Sequence, residues 1–150
     1  MLIDIARKGG LRSAQNDASI IGRGRAVIET EAAALAQLSV ALDGNFALAT
    51  ELILETRGRV VVTGMGKSGH IGRKLAATLA STGTPAIFVH PAEAAHGDLG
   101  MLMVGDVLIV LSNSGATSEL KMIVRHAKTL NCAIIGIAGQ LDSPVMHAAD

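Results

Sequence analysis

Short runs of β-branched and other apolar residues alternate with helical segments along the chain after Gly58. We interpret four runs as strands: Arg59 to Thr63, Ala86 to His90, Val107 to Leu111 and Ala133 to Ala138. The helical stretches are at about Ser68 to Ser81, Thr117 to Leu130 and Ser143 to Ala149. Strands that are apolar on both faces and joined by helical crossovers form a parallel sheet covered on two sides. The pattern therefore predicts an α/β domain with three layers, α/β/α, and a doubly wound parallel sheet.

Two N-terminal helices are predicted before the first strand. Apolar residues recur at helical spacing from Ala18 to Leu42, and a second stripe extends from Phe46 to Ile53. The pair Asp43-Gly44 separates them, as expected where a helix ends. The apolar stripe of the first helix indicates either a subunit interface or a helix that packs on its own sheet.

Composition limits the functions that such a domain can have. The 150 residues include 13 basic and 13 acidic ones, so the net charge gives no general attraction to nucleic acid or to an anionic membrane. Only Phe46 and Phe88 are aromatic, which leaves few rings for base stacking. Cys132, the single cysteine, lies in an apolar run and is interpreted as a buried structural thiol. Because Met1 to Asp17 lack an apolar signal-peptide core, we expect one soluble, cytoplasmic domain.

The turn after the first strand reads TGMGKSGH and is rich in glycine. It formally matches the GxGxxG dinucleotide pattern, but the second strand ends in His90-Pro91 and not in the acidic residue that would bind a ribose. It is not a P-loop, because Val61 stands where that motif has its first glycine. The run Gly66-Lys67-Ser68 at a strand end suits a small anionic or carbonyl-bearing ligand. The alternative is a tight turn with an exposed lysine.

The turn after the third strand, Leu111 to Glu119, is rich in hydroxyl groups. Ser112, Ser114 and Thr117 precede a helix start, where backbone N–H groups and the helix dipole favour a phosphate dianion. The alternative is helix capping by Thr117 or Ser118 alone, but three hydroxyls exceed what capping needs. Because the carboxyl ends of parallel strands share one edge of the sheet, we expect both turns to face one ligand.

The connection from His90 to Gly100 is dense in titratable groups and poor in bulky apolar ones. A metal site there would use His90, His96 and Asp98, but their spacing matches no ligand motif. We therefore predict no required metal at this connection.

Three motifs taken together are more specific than any of them alone. They are Gly64 to Gly72 (GMGKSGHIG), His90-Pro91 with Ala95 to Gly100 (AHGDLG), and Ser112 to Gly115 (SNSG). On these motifs the chain, from about Ile20 onward, resembles the arabinose-5-phosphate isomerase branch of the SIS (sugar isomerase) domain family. The resemblance implies a flavodoxin-like SIS domain that interconverts D-ribulose 5-phosphate and D-arabinose 5-phosphate in Kdo and lipopolysaccharide synthesis. It also implies a homo-oligomer, dimer or tetramer, without a cofactor.

The resemblance assigns roles by position. It implies catalysis by Lys67, His96 and Glu119, through an enediol. The predicted substrate- and phosphate-binding residues are Gly66, Ser68, Ser112, Asn113, Ser114 and Thr117. Ala116 departs from the family pattern, which usually has a glutamate there, whereas Glu119 is retained.

Family members also continue past Asp150 with a strand, a further active-site glutamate, a His-Pro-Gly-Gly loop and commonly two CBS modules. We therefore expect residues 1–150 to be a single SIS domain that is truncated at its C-terminus.

Two other functions stay open from the sequence. A non-catalytic sugar-phosphate sensor would need the serine-rich turn, but not Lys67, His96 and Glu119 together. An isomerase of a different phosphosugar would share the phosphate site, which says nothing about chain length or stereochemistry.

Overall fold

The computed structural model describes residues 14–150, so most of the opening segment considered for a signal peptide lies outside the described residues. Contacts divide the chain into two compact units, Met1–Gly44 and Asn45–Asp150. The described part of the first unit is helix α1, Ala14–Ala41. From residue 18 onward α1 is exposed. Its exposed large apolar side chains are Ile20, Ile21, Val27, Ile28, Leu35, Leu38 and Val40.

The second unit alternates helices and strands after one leading helix. Its elements are α2 (Gly44–Glu55), β1 (Val60–Gly64), α3 (Gly66–Ser81), β2 (Ala86–Phe88), α4 (Pro91–Ala95), a 3₁₀ turn (Asp98–Met101), β3 (Val107–Ser112), α5 (Leu120–Thr129), β4 (Ala133–Ala138) and α6 (Pro144–Ala148). No single helix among these described elements is long and apolar enough to cross a membrane. Residues Asp17–Ala41 and α2, taken together as a broken span, meet that requirement by length and composition only.

The four strands form one parallel sheet in the order β2-β1-β3-β4. Val60 and Val62 pack on one face with Ala76 of α3, and Ile53 of α2 joins this cluster. Val61 belongs to the cluster on the opposite face, which includes residues of α4, α5 and α6. The alternation of side chains along β1 therefore supplies both cores. The predicted three-layer, doubly wound fold is confirmed, with the flavodoxin-like strand order.

The main differences from the predicted elements lie in the connection after β2. This strand ends at Phe88, not at His90, because His90 is the N-cap of α4 and Pro91 occupies its first turn. Neither α4 nor the 3₁₀ turn was predicted. Both are too short to show helical periodicity, although Pro91 is a residue type favoured at a helix start.

Asp106 anchors the amino ends of β1 and β3. Its side chain is 4% exposed; Oδ1 accepts the Arg59 N–H at 2.9 Å, and Oδ2 accepts the Met103 N–H at 2.9 Å. The Arg59 Nε lies 3.7 Å from Oδ2. This buried charge is therefore compensated, and it lies at the edge opposite the carboxyl ends of the strands.

Cys132 is buried, as predicted. Its Sγ donates a hydrogen bond to the Met103 carbonyl at 3.2 Å. Burial is the main cause that raises the pKa of the Cys132 thiol above its ordinary value. Because the thiolate is the reactive form, this pKa disfavours a nucleophilic role.

Candidate ligand site at the carboxyl edge of the sheet

The strand order creates a crevice at the carboxyl ends of β1 and β3. The chain leaves β1 toward β2 on one side and later returns to β3 on the other, which makes this point the topological switch of the sheet. Gly64 pairs with Leu111, and β3 ends one residue later at Ser112. The glycine-rich turn and the serine-rich turn therefore begin side by side, as the sequence predicted.

Glycines allow α3 to start directly at the end of β1. A Cβ at Gly64 would lie 3.0 Å from the Leu111 carbonyl oxygen, and one at Gly69 would lie 2.7 Å from the Gly64 carbonyl oxygen. Gly66, the first residue of α3, has a φ of +53°, which glycine adopts without strain. Close backbone packing of this kind brings the helix start to the crevice.

Lys67 and Ser68 follow in the first turn of α3. Lys67 is exposed and Ser68 is half-buried. The N-cap of the helix is Met65, and no side chain caps it. The first N–H groups of α3 have no partner inside the helix, so they and the lysine together form a cationic end that suits an anion.

The serine-rich turn holds its shape through its own hydroxyls. Ser112 is 5% exposed. Its Oγ accepts the Gly115 N–H at 3.1 Å and lies 3.1 Å from the Thr117 hydroxyl. Ser114 Oγ accepts the Ala116 N–H at 3.3 Å. The turn is thus preformed, with the three predicted hydroxyls within one bend of six residues.

The alternative of simple helix capping by Thr117 or Ser118 is wrong. The N-cap of α5 is Glu119, and no side chain forms a capping hydrogen bond there. Helix α5 begins at Leu120, three residues later than predicted. The Thr117 hydroxyl bonds to the Ser112 hydroxyl, and the Ser118 hydroxyl donates to the Glu119 carboxylate, so neither caps the helix. The Leu120 and Lys121 N–H groups donate to the backbone carbonyls of Thr117 and Ser118, at 3.2 and 3.1 Å, so the backbone of the turn and not a side chain satisfies the helix start.

Glu119 is exposed at this helix start. Ser118 Oγ donates a hydrogen bond to Glu119 Oε2 at 2.8 Å, and this bond is the main cause that lowers the pKa of the Glu119 carboxyl. A carboxylate at neutral pH is the form that can accept a proton.

Replacing the hydroxyl donor should reverse this shift. In Ser118→Ala we expect the pKa of Glu119 to rise toward the ordinary glutamate value, because a donor to the charged form is removed. Titration of the Glu119 side chain by ¹³C NMR measures it directly. Ser81→Ala is the matched control, since the Ser81 hydroxyl bonds to Thr78 within α3. An unchanged or lower pKa in Ser118→Ala would contradict the assignment.

The predicted catalytic residues come from three different elements. Lys67 lies in the first turn of α3, Glu119 is the N-cap residue of α5, and His96 is exposed at the end of α4. Within the described residues no hydrogen bond or ion pair joins any two of them. His90, at the start of α4, has a buried Nδ1 without a hydrogen-bond partner. The catalytic roles stay predictions.

Among residues 14–150 no group of three His, Cys, Asp or Glu side chains is placed to hold a metal ion.

The turn between β4 and α6, which was not predicted to be part of the site, supports the serine-rich turn. The Gly139 N–H donates to the Asn113 carbonyl at 3.0 Å, and the Val145 N–H donates to the Gly115 carbonyl at 3.0 Å. A Cβ at Gly139 would lie 2.9 Å from Asn113 Oδ1. Asn113, predicted to bind ligand, thus packs against the turn after β4. The pair Ser143-Pro144, which marks a helix start at the same edge, was the available signal.

Comparisons with known proteins identify the family of this chain. The SIS domain family model matches residues 53–150, about two thirds of the chain. The arabinose 5-phosphate isomerase KdsD of Escherichia coli (strain K12) is 52% identical over 127 residues, 85% of this chain and 39% of that protein. The KdsD protein of Pseudomonas aeruginosa is 50% identical over 123 residues, 82% of this chain and 38% of that protein. This chain therefore spans about two fifths of the length of these relatives.

A solved structure supports the same grouping. The structure of E. coli CFT073 c3406 in complex with arabinose 5-phosphate matches 89% of this chain and 71% of that chain, with 38% identity and a TM-score of 0.84. The family-model match covers most of the chain, including the sheet and both turns at its carboxyl edge. The chain belongs to the SIS domain family.

Proposed function

We propose that this chain provides the phosphate site and part of the catalytic site of an aldose–ketose isomerase that interconverts D-ribulose 5-phosphate and D-arabinose 5-phosphate. The observation that carries the proposal is the juxtaposition of the lysine-bearing turn and the serine-rich turn at the ends of adjacent strands. The KdsD relatives, about half identical over most of this chain, carry the name of this activity.

The phosphate would bind at the serine-rich turn. Ser112, Ser114 and Thr117 would supply hydroxyls to the phosphate oxygens. Ser68 would approach from the start of α3. This arrangement needs no basic side chain at the phosphate, so Lys67 is available for the sugar carbons.

The reaction moves one proton between C1 and C2, of which C1 is the carbonyl carbon in the aldose and C2 is the carbonyl carbon in the ketose. A base removes the proton from C2 of the aldose, the electron pair forms the enediol, and the proton returns at C1 of the ketose, while a hydroxyl proton moves from O2 to O1. Glu119 would take part in the carbon proton transfer. Lys67 would stabilise negative charge on the enediolate oxygens, and His96 would act on oxygen protons or ring opening.

The physiological setting is part of the same proposal. The product would serve Kdo synthesis for lipopolysaccharide, in the cytoplasm. The exposed apolar residues of α1 support assembly as a homo-oligomer, because a helix with such a surface gains stability when another subunit covers it.

Incubation of the full-length protein with D-arabinose 5-phosphate in D₂O tests the function. We expect conversion to D-ribulose 5-phosphate, with deuterium appearing at C2 of the recovered aldose, as NMR would detect. D-Arabinose without phosphate is the control for the phosphate site and should not react measurably.

The alternatives predict other outcomes. A sugar-phosphate sensor would bind the ligand without turnover. An isomerase of another phosphosugar would convert a different aldose phosphate faster than arabinose 5-phosphate, so a panel of pentose and hexose phosphates distinguishes it.

A further inference from the structure

Ser143 lies beneath the serine-rich turn and is 2% exposed. It is the N-cap residue of α6, a position where a serine side chain normally accepts a hydrogen bond from the helix start. Here the side chain forms no capping bond, and Oγ has no hydrogen-bond partner. A buried hydroxyl without a partner destabilises the protein that contains it, so its presence here needs an explanation.

The serine-rich turn takes over the capping role. The Val145 N–H, in the first turn of α6, donates to the Gly115 carbonyl at 3.0 Å. The start of α6 is therefore satisfied by the backbone of the turn that we assign to phosphate, and the Ser143 hydroxyl is left against that turn.

Ser143 and Gly115 fit each other in size. A Cβ at position 115 would overlap Ser143 Oγ, and Gly115 has a φ of +64°. The Gly115 N–H in turn donates to Ser112 Oγ, one of the proposed phosphate ligands. A displacement of Gly115 would therefore change the position of Ser112, although Ser143 itself does not reach the crevice surface.

We propose that Ser143 is a positioning residue of the phosphate site. It packs against Gly115 and so fixes the position of Ser112, which accepts the Gly115 N–H, for phosphate binding. This inference rests on the proposed function of the serine-rich turn. The hydroxyl fills the space beside Gly115, whose backbone could otherwise move because glycine has no side chain. A mobile turn binds phosphate less tightly, because binding must then also order the turn.

Ser143→Ala separates this role from simple core packing. Because the variant loses an unpartnered hydroxyl, we expect the melting temperature of the free protein to stay the same or to rise. We expect affinity for arabinose 5-phosphate, by calorimetry, to fall about tenfold, with KM raised and kcat little changed. Inorganic phosphate is a second probe, and its affinity for the variant should fall by a similar factor.

A second pair of variants tests the contact itself. Gly115→Ala should weaken binding, and adding Ser143→Gly should restore part of the loss by making room for the new Cβ, with the rest retained because of the positive φ. NMR shifts of the Gly115 amide report the turn in each variant.

The outcomes distinguish the two proposals. If the unmodified protein binds neither probe, the proposed function fails. If it binds them and Ser143→Ala binds equally well, or if that variant loses only thermal stability, the positioning role is overturned and the function stands.

Discussion

Lys67→Ala should lower kcat/KM for arabinose 5-phosphate by about a thousandfold, because in the proposed mechanism its ammonium group stabilises the enediolate. This corresponds to roughly 4 kcal/mol of transition-state stabilisation. Binding of the substrate should persist, since the proposed phosphate ligands lie on the turn after β3 and at Ser68. Steady-state kinetics and calorimetry on the full-length protein measure the two quantities.

Lys74→Ala is the matched control. Lys74 is exposed on the same helix, two turns farther from the crevice, and its loss should leave turnover unchanged. Equal turnover in the unmodified protein and in Lys67→Ala would contradict the catalytic role of the lysine.

Asp106→Ala should destabilise the fold by roughly 3 kcal/mol. The substitution leaves the backbone N–H groups of Arg59 and Met103 without acceptors. It also removes the carboxylate beside the Arg59 guanidinium, which keeps its hydrogen bond to the Met101 carbonyl. Urea denaturation measures the free energy of unfolding. Asp106→Asn should be less harmful, because its carbonyl still accepts one hydrogen bond while its NH₂ faces the other donor.

Asp142→Ala is the control for this effect. Asp142 is 97% exposed and pairs at 3.0 Å with His147, and exposed pairs of this kind contribute less than about 1 kcal/mol. A similar loss in both variants would show that the Asp106 bonds are not the cause.

The sheet was predictable because each strand is a short apolar run with a clear boundary. Ala133–Ala138 was predicted residue for residue, and the other strands within two residues at each end. The start of α5 was predicted three residues early, because Thr117 and Ser118 resemble caps locally but bond differently in the fold. The capping propensity of a single residue does not predict which of several possible hydrogen-bond partners its side chain selects in the folded protein.

The two turns of the candidate site followed from the rule that ligands collect at strand carboxyl ends. The role of Ser143 could not be predicted in this way, because it depends on a contact between Gly115 and Ser143, which are 28 positions apart in the chain. A serine before a proline predicts a helix start, but only the fold shows that the Ser143 hydroxyl forms no capping hydrogen bond.

The anchor at Asp106 and the turn at Ser112 lie at opposite ends of β3. The hydrogen-bonded anchor thus lies at one end of the sheet and the proposed ligand site at the other. If the proposed site binds the sugar phosphate, substitutions in its turns can change sugar preference without touching the hydrogen bonds of Asp106, so specificity and folding stability can change independently.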